Sequence, residues 1–150
     1  MPEIDSIAAA IHETWRNLSR QQGWSMSPQL DRAFAELAEQ DKEGNRAAAR
    51  RMNEVLAKAG LTLSDDPAKP EADLPTNLEA MAEAEHNGWM AQRARAGWSW
   101  AATRDDAAKQ HPSMLPYAQL SEQEKEKDRS NIRHYPAFAA RAGYRIVRLT

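Results

Sequence analysis

An unusual thirteen-residue pattern occurs twice in this chain, and such a repeat constrains the fold more than any single motif. It reads HETWRNLSRQQGW at residues 12–24 and HNGWMAQRARAGW at residues 86–98, which is His-x-x-Trp, seven residues and Gly-Trp in both places. Residues 7–25 and 81–99 share seven identities in nineteen positions at an offset of 74 (86 minus 12). Self-similarity of this kind marks a duplicated structural unit. We therefore infer an internal duplication.

The second halves of the two copies agree at a different offset. Residues 37–63 align without gaps with residues 120–146, with ten identities in 27 positions at an offset of 83. The second copy therefore holds nine extra residues (83 minus 74) within WAATRDDAAKQHPSMLPYAQ. We predict a single domain made of repeat one (about 4–63), a surface linker (64–75) and repeat two (about 76–150). The linker, SDDPAKPEADLP, has three prolines, four acids and no periodicity.

Both repeats have the local signals of a helix, a loop, a second helix and a short strand. Capping boxes at Thr76/Glu79 and Ser121/Glu124 open the helices of repeat two, and Pro136 should bend or interrupt the last one. LTL in repeat one and YRIVRL in repeat two are short strands. Four glycines are placed to end the helices: Gly23, Gly60, Gly97 and Gly143.

We predict a mainly α fold with a minor antiparallel β component (α+β). Its two tandem helix-loop-helix-strand repeats should be related by a pseudo-twofold axis.

Charge and composition exclude several partners. With 20 basic and 22 acidic residues the net charge is −2, so there is no global field to attract duplex nucleic acid. Cysteine is absent, which removes disulfides and thiolate metal sites and fits a reducing compartment. The acidic N-terminus MPEIDS and the short run IAAAI form neither a signal peptide nor a membrane span. We expect a cytoplasmic protein without a membrane partner.

Repeat two resembles the ryanodine receptor repeat, the RyR domain. The resemblance lies in AEAEHNGWMAQRARAGWSW, then RDDAAKQHPSMLPYAQLSEQEKEKDR, then AGYRI, and it extends from Leu78 to Leu149. Repeat one resembles the family in degenerate form and lacks the His-Pro...Pro-Tyr loop. It keeps His12, Trp15, Gly23, Trp24, Leu37, Arg46 and Gly60. The resemblance implies a compact pair of repeats without catalytic activity.

The resemblance also implies a site for an adenine-containing nucleotide. A Trp from the first helix of each repeat would flank the base, and these are Trp15 and Trp89. Phosphates would face Arg93 and Arg104. The loop side of the site would be lined by two further residues, His111 and Tyr117. Ser19 and Ser113 stand where basic side chains would complete the pattern.

Each of these residues also has a structural interpretation. Trp15 and Trp89 could sandwich a base, since aromatic stacking contributes roughly 1 to 3 kcal/mol per base, or could belong to the core. Arg93 could bind phosphate or make a cation–π contact. The stiff loop from His111 to Tyr117 could be a pocket wall or a brace. Trp24 and Trp98, which follow helix-ending glycines, are expected to be packed.

We find no catalytic constellation, no metal-spaced cluster and no nucleotide-loop motif, so we expect neither an enzyme nor a cofactor. The leading hypothesis is a ligand-binding module that takes an adenine-containing nucleotide or a cyclic or ADP-ribose-type signal between the repeats. The module occupies the whole sequence, so it would act as a sensor subunit or a ligand sink in antiphage signalling or its evasion. The alternative is a protein-interaction or scaffold module without a small ligand.

Overall fold

The fold is mainly helical, as predicted, and the computed structural model describes residues 3–149. The helices are α1 (Ile4–Gln22), α2 (Glu39–Lys58), α3 (Glu79–Arg95), α4 (Glu122–Arg133) and α5 (Tyr135–Arg141). The strands are β1 (Leu61–Ser64), β2 (Ser99–Trp100), β3 (Gln110–His111) and β4 (Arg145–Arg148). Short 3₁₀ turns lie at Phe34–Glu36 and Tyr117–Gln119. The α+β class predicted from the sequence is confirmed.

Two compact units divide the chain. Unit 1 comprises residues 3–73 and 134–149 of the described chain, and unit 2 is Leu74–Arg133. These bounds differ from the bounds of the sequence repeats, because α5 and β4 belong to repeat two in sequence but lie in unit 1. The division into one domain with two repeats stays a prediction.

Unit 1 is held together by helices and by a strand pair that joins distant parts of the chain. Helix α1 packs against α2 and α5, and β1 pairs antiparallel with β4. The apolar residues of α1 recur at three- and four-residue spacing, which places Ile7, Ala8 and Ile11 on one buried face. Residues 65–71 of the linker are exposed, and the Ala72 N–H donates to the Ile146 carbonyl at 2.8 Å.

Unit 2 consists of α3, α4 and the loop between them. Helix α3 packs against α4 and against the 3₁₀ turn at Tyr117–Gln119. The loop forms a parallel two-residue ladder, in which Ser99 pairs with Gln110 and Trp100 with His111. This ladder lies at the segment that holds the nine extra residues of repeat two, and no sequence pattern predicted parallel pairing there.

The helix ends follow the predicted glycines. Gly23, Gly60, Gly97 and Gly143 all have positive φ. After Gly23 the Trp24 N–H donates to the Ser19 carbonyl at 2.8 Å, and after Gly97 the Trp98 N–H donates to the Arg93 carbonyl at 2.9 Å. A residue in the left-handed region lets the chain turn back on the last helical carbonyls in this way.

The helix starts were predicted with mixed success. The Glu124 N–H donates to Ser121 Oγ at 3.2 Å, as expected of a cap. The Thr76/Glu79 box is wrong, because α3 begins at Glu79 and the Glu79 N–H donates to Asn77 Oδ1 at 2.9 Å instead. The Glu79 carboxylate is engaged elsewhere, by Arg129 and the Tyr117 hydroxyl. Pro136 interrupts the last helix, as predicted, since α4 ends at Arg133 and α5 begins at Tyr135.

Several contacts of repeat one recur in repeat two at the sequence offsets. His12 Nε2 bonds to the Arg32 carbonyl at 2.7 Å, and His86 Nε2 bonds to the Leu115 carbonyl at 2.6 Å. The two partners lie 20 and 29 residues further along the chain, which reproduces the nine-residue difference between the repeats.

The ion pairs Arg46–Asp5 and Arg129–Glu79 are also equivalent, because the arginines differ by the offset of 83 and the acids by the offset of 74. In the β1/β4 pair, Leu63 lies opposite Ile146, its own counterpart at an offset of 83. The pseudo-twofold relation of the whole repeats stays a prediction.

Candidate functional site

An aromatic and basic cluster lies on unit 2, centred on Trp89 of α3. The Trp89 ring is half-buried, and its centroid lies 5.2 Å from that of His111, with the two planes steeply inclined. His86, three residues earlier on α3, stacks on the same indole, with the two ring centroids 5.7 Å apart. Helical geometry brings His86 to Trp89, whereas the returning loop brings His111. Trp89 therefore joins the helix to the loop.

Arg93 lies over two indole rings. Its guanidinium carbon is 5.5 Å from the Trp89 centroid and 4.7 Å from the Trp98 centroid. Arg93 is four residues after Trp89 on α3, so the two side chains share a helix face, and Gly97 returns Trp98 to that face. A cation over an indole is attracted by the negative face of the ring. The cation–π interpretation of Arg93 is thus confirmed, and it leaves the phosphate-binding prediction untested.

The tryptophans after the helix-ending glycines differ from one another. Trp98 is half-buried, contacts Arg93, and its ring centroid lies 6.5 Å from that of His111. Trp24 is 56% exposed, so the prediction that it is packed is wrong. Its backbone completes the helix end by hydrogen bonding, and this does not require the indole to be covered. We regard Trp98 as a residue of the candidate site that sequence reasoning assigned to packing alone.

His111 is a half-buried residue whose two ring nitrogens differ. The Ser113 backbone N–H donates to His111 Nδ1 at 3.0 Å. Burial, followed by the positive charges of Arg104 and Arg93, lowers the pKa of His111. The imidazole is therefore neutral at pH 7 and has its hydrogen on Nε2, because Nδ1 acts as the acceptor.

Arg104 lies on the exposed part of the loop. Its Nε donates to Asp106 Oδ1 at 2.7 Å, and the pair is largely solvent-exposed. The hydrogen bond from Arg104, followed by the positive charges of Arg104 and Arg93, lowers the pKa of Asp106. An incoming anion would have to compete with this carboxylate for the guanidinium.

Tyr117 is the least accessible of the predicted site residues. It is buried beside Ala82 and Leu120, and its hydroxyl donates to Glu79 Oε2 at 3.0 Å. Burial and this carboxylate raise the pKa of Tyr117 to about 12. The hydrogen bond from Arg129, followed by that from Tyr117, lowers the pKa of Glu79. Tyr117 is thus a buried residue whose hydroxyl reaches the partly exposed Glu79–Arg129 ion pair.

Trp15, the counterpart of Trp89, lies in unit 1 and is half-buried. Its ring centroid is 5.1 Å from that of His134 and 6.1 Å from that of Phe138, both from the region of α5. These contacts give Trp15 a packing role in unit 1. The pairing of Trp15 with Trp89 around a base stays a prediction.

Two open cavities lie in unit 1, with volumes of about 410 Å³ and about 330 Å³. Their linings include Tyr144 and Arg145 in the first, and Glu13 and Arg141 in the second. The six predicted ligand residues line neither cavity.

Within residues 3–149 no cluster of three potential metal ligands occurs. Over the same residues no helix combines the length and apolarity that a membrane crossing requires.

The structure thus brings four of the predicted residues together, namely Trp89, Arg93, Arg104 and His111, and adds Trp98 and Asp106. A surface of indoles, guanidinium groups and a neutral imidazole on a small helical scaffold defines a class of module suited to recognising flat or anionic groups. The sequence profile of the RyR domain family matches residues 70–148, which are 79 of the 150 residues. The chain belongs to the RyR domain family.

Proposed function

We propose that this protein is a non-catalytic ligand-binding module whose ligand is an adenine-containing nucleotide or a cyclic or ADP-ribose-type signal. The single observation that carries the proposal is the position of Arg93 over the Trp89 and Trp98 rings, next to His111. This arrangement supplies aromatic surface and positive charge at the same place on unit 2. A nucleotide needs both.

The chemistry of the cluster fits the two parts of such a ligand. Base stacking on an aromatic side chain contributes roughly 1 to 3 kcal/mol and tolerates different bases. A guanidinium that stacks through its face keeps its N–H donors at its edge, in the plane of the group. Arg93 can therefore contact an indole and an anion at the same time, and Arg104 offers a second guanidinium nearby.

The second stacking residue in this proposal is Trp15. Trp15 is included because of the resemblance to the tandem RyR repeats. Its contacts with Phe138 and His134 favour a structural role as well. Binding by Trp15→Ala and Trp89→Ala variants separates the two roles. Loss of ligand affinity in both variants with the fold intact supports a shared base site, whereas loss in Trp89→Ala alone restricts the site to unit 2.

We extend the proposal to a role as a sensor subunit or ligand sink in antiphage signalling or its evasion. A protein that binds a nucleotide signal without consuming it can relay the signal to a partner or lower its free concentration. The RyR membership supports the binding module, and the signalling setting is the part that a cellular experiment must test. A sink would release the ligand intact on denaturation.

The alternative function is protein interaction, and it has an observation in its favour. Trp24 and Trp100 are 56% and 51% exposed, and exposed tryptophans are enriched at protein interfaces. These residues are separate from the Arg93 contacts. Variants at Trp24 therefore test this alternative without touching the cluster around Trp89.

The decisive experiment is a thermal-shift and calorimetry panel of adenosine, AMP, ADP-ribose and cyclic mono- and dinucleotides. A ligand that binds only the folded state stabilises it by about 2.7 kcal/mol at 100 times its Kd. We expect at least one adenine nucleotide to raise the Tm of the wild-type chain and not of Trp89→Ala. Trp24→Ala is the matched control and should respond like the wild type. If no compound raises the wild-type Tm, the nucleotide proposal is wrong and the interaction module becomes the better explanation.

A further inference from the structure

The loop that contains His111 fixes which ring nitrogen is available to a ligand. The Ser113 N–H donates to Nδ1 at 3.0 Å, so that nitrogen must keep its lone pair. The hydrogen of the neutral ring is then on Nε2, which makes no hydrogen bond within residues 3–149. His111 therefore has one N–H donor that the protein itself does not use.

The surrounding loop holds this hydrogen bond in place. Pro112 stiffens the backbone between the two residues, and Ser113 Oγ donates to Glu124 Oε2 of α4 at 3.1 Å. His111 itself pairs with Trp100 in the parallel ladder. Protonation of Nδ1 would set two N–H donors against each other and break the bond. The loop thus favours the neutral ring by geometry alone.

The charges around His111 act in the same direction. Burial lowers its pKa most, and Arg104 and Arg93 lower it further, while Glu124 and Asp106 raise it by smaller amounts. Two guanidinium groups and one neutral N–H donor consequently share this part of unit 2. Such a set suits an anionic oxygen, because it offers charged and neutral N–H donors without adding a third cation.

We propose that His111 contacts the phosphate of the ligand through Nε2–H as a neutral donor, and that Ser113 is the positioning residue that fixes this tautomer. The inference rests on the proposed nucleotide function and names the group that lets the site prefer a nucleotide over its nucleoside. The position of His111 beside Trp89 places this donor next to the proposed stacking surface.

The tautomer is measurable without any ligand. Long-range ¹H–¹⁵N correlation spectra of the full chain at pH 7.5 should show His111 neutral, with Nδ1 unprotonated and Nε2 protonated. Ser113→Ala keeps the backbone N–H and should leave this pattern unchanged. Ser113→Pro removes the N–H, so the Nδ1–H form should gain population in it. A wild-type His111 that is charged, or protonated on Nδ1, overturns the proposal.

Binding of AMP and of adenosine tests the phosphate contact. His111→Gln retains an N–H donor at the equivalent distance from the backbone, and His111→Phe retains a ring without a donor. We expect His111→Phe to weaken AMP binding by about tenfold, in line with the loss of a hydrogen bond to a charged group, and to leave adenosine binding unchanged. His111→Gln should bind AMP within about threefold of the wild type.

The possible results separate the two proposals. Equal losses of AMP and adenosine in His111→Phe, or no loss of AMP binding, overturn the role of His111 while the nucleotide function stands. A wild-type protein that binds none of the nucleotide panel overturns the nucleotide function, and the phosphate contact falls with it. Inorganic sulfate is then the remaining probe of an anion site. Its failure to shift the His111 resonances relative to chloride at equal ionic strength would exclude an anion site of any kind there.

Discussion

Arg93 lies over the indole of Trp98, with its guanidinium carbon 4.7 Å from the ring centroid, although four residues and a helix end separate them. The contact exists because Gly97 has a φ of +93° and returns the chain towards the last turn of α3. A helix end that is common in proteins thus builds one wall of the candidate site.

Replacement of Arg93 should affect ligand binding more than stability. Arg93→Met keeps the aliphatic packing but removes the charge, and a cation–π contact that is only partly buried contributes about 0.5 to 1 kcal/mol. We expect the free energy of unfolding to fall by no more than about 1 kcal/mol, while nucleotide affinity falls at least about tenfold. Calorimetry and urea denaturation measure the two effects. Arg95→Met, on the same last turn, is the matched control, and equal losses of affinity in both variants would contradict a specific role for Arg93.

The tryptophans of unit 1 should differ in their contribution to stability. Trp15→Ala removes contacts with Phe138 and should lower the free energy of unfolding by about 2 kcal/mol, less than for a fully buried Trp because the indole is half-buried. Trp24→Ala should change it by no more than about 0.5 kcal/mol, because the indole is 56% exposed. Urea denaturation of both variants measures this. A larger cost for Trp24→Ala would show that its indole has a partner that supports the fold.

Tyr117→Phe tests the hydrogen bond between the Tyr117 hydroxyl and the Glu79 carboxylate. The change removes the hydrogen bond to Glu79 and should lower the free energy of unfolding by about 1 kcal/mol. The ring itself should fit, since Phe34 occupies the corresponding position of repeat one at the offset of 83. Chemical denaturation gives the energy, and Tyr144→Phe is a control in which the lost hydroxyl accepts only the Glu3 N–H. An unchanged stability would mean that the Glu79 carboxylate is satisfied by Arg129 alone.

Stability should depend on pH through His111. Its folded pKa is lower than the ordinary value of 6.5, so the unfolded chain binds more protons below that value. The free energy of unfolding should therefore decrease as the pH falls from 7.5 through 6.5 towards the folded pKa, and His111 should contribute no slope above this window. His111→Gln should flatten the profile between pH 7.5 and 5.5, as measured by urea denaturation. A profile equally steep in the variant would assign the slope to other groups.

The sequence anticipated the features that local chemistry decides. The four helix-ending glycines, the break at Pro136 and the Arg93–Trp89 neighbourhood each depend on residues within a few positions of one another. The contacts of His12 and His86 follow the two offsets of the inferred duplication, although no sequence prediction named them.

Features that depend on distant residues were missed. The Thr76 box failed because the Glu79 N–H bonds to Asn77 Oδ1 and because Arg129, fifty residues away, binds the Glu79 side chain. The parallel β2/β3 ladder spans the region of the nine extra residues of repeat two, so repeat one offered no guide to its pairing. The tautomer of His111 likewise depends on a backbone N–H whose direction the sequence does not reveal.

The pairing of β1 with β4 has a practical consequence for anyone who isolates the family segment. That segment begins at residue 70, whereas the strand that pairs with β4 ends at Ser64. A fragment cut at the family boundary would keep Ile146 and Val147, which are buried in the full chain, and lose the strand they pair with. The segment that sequence comparison delimits therefore contains unit 2 but only part of unit 1, and expression of residues 70–148 alone should yield an aggregating product where the full chain does not.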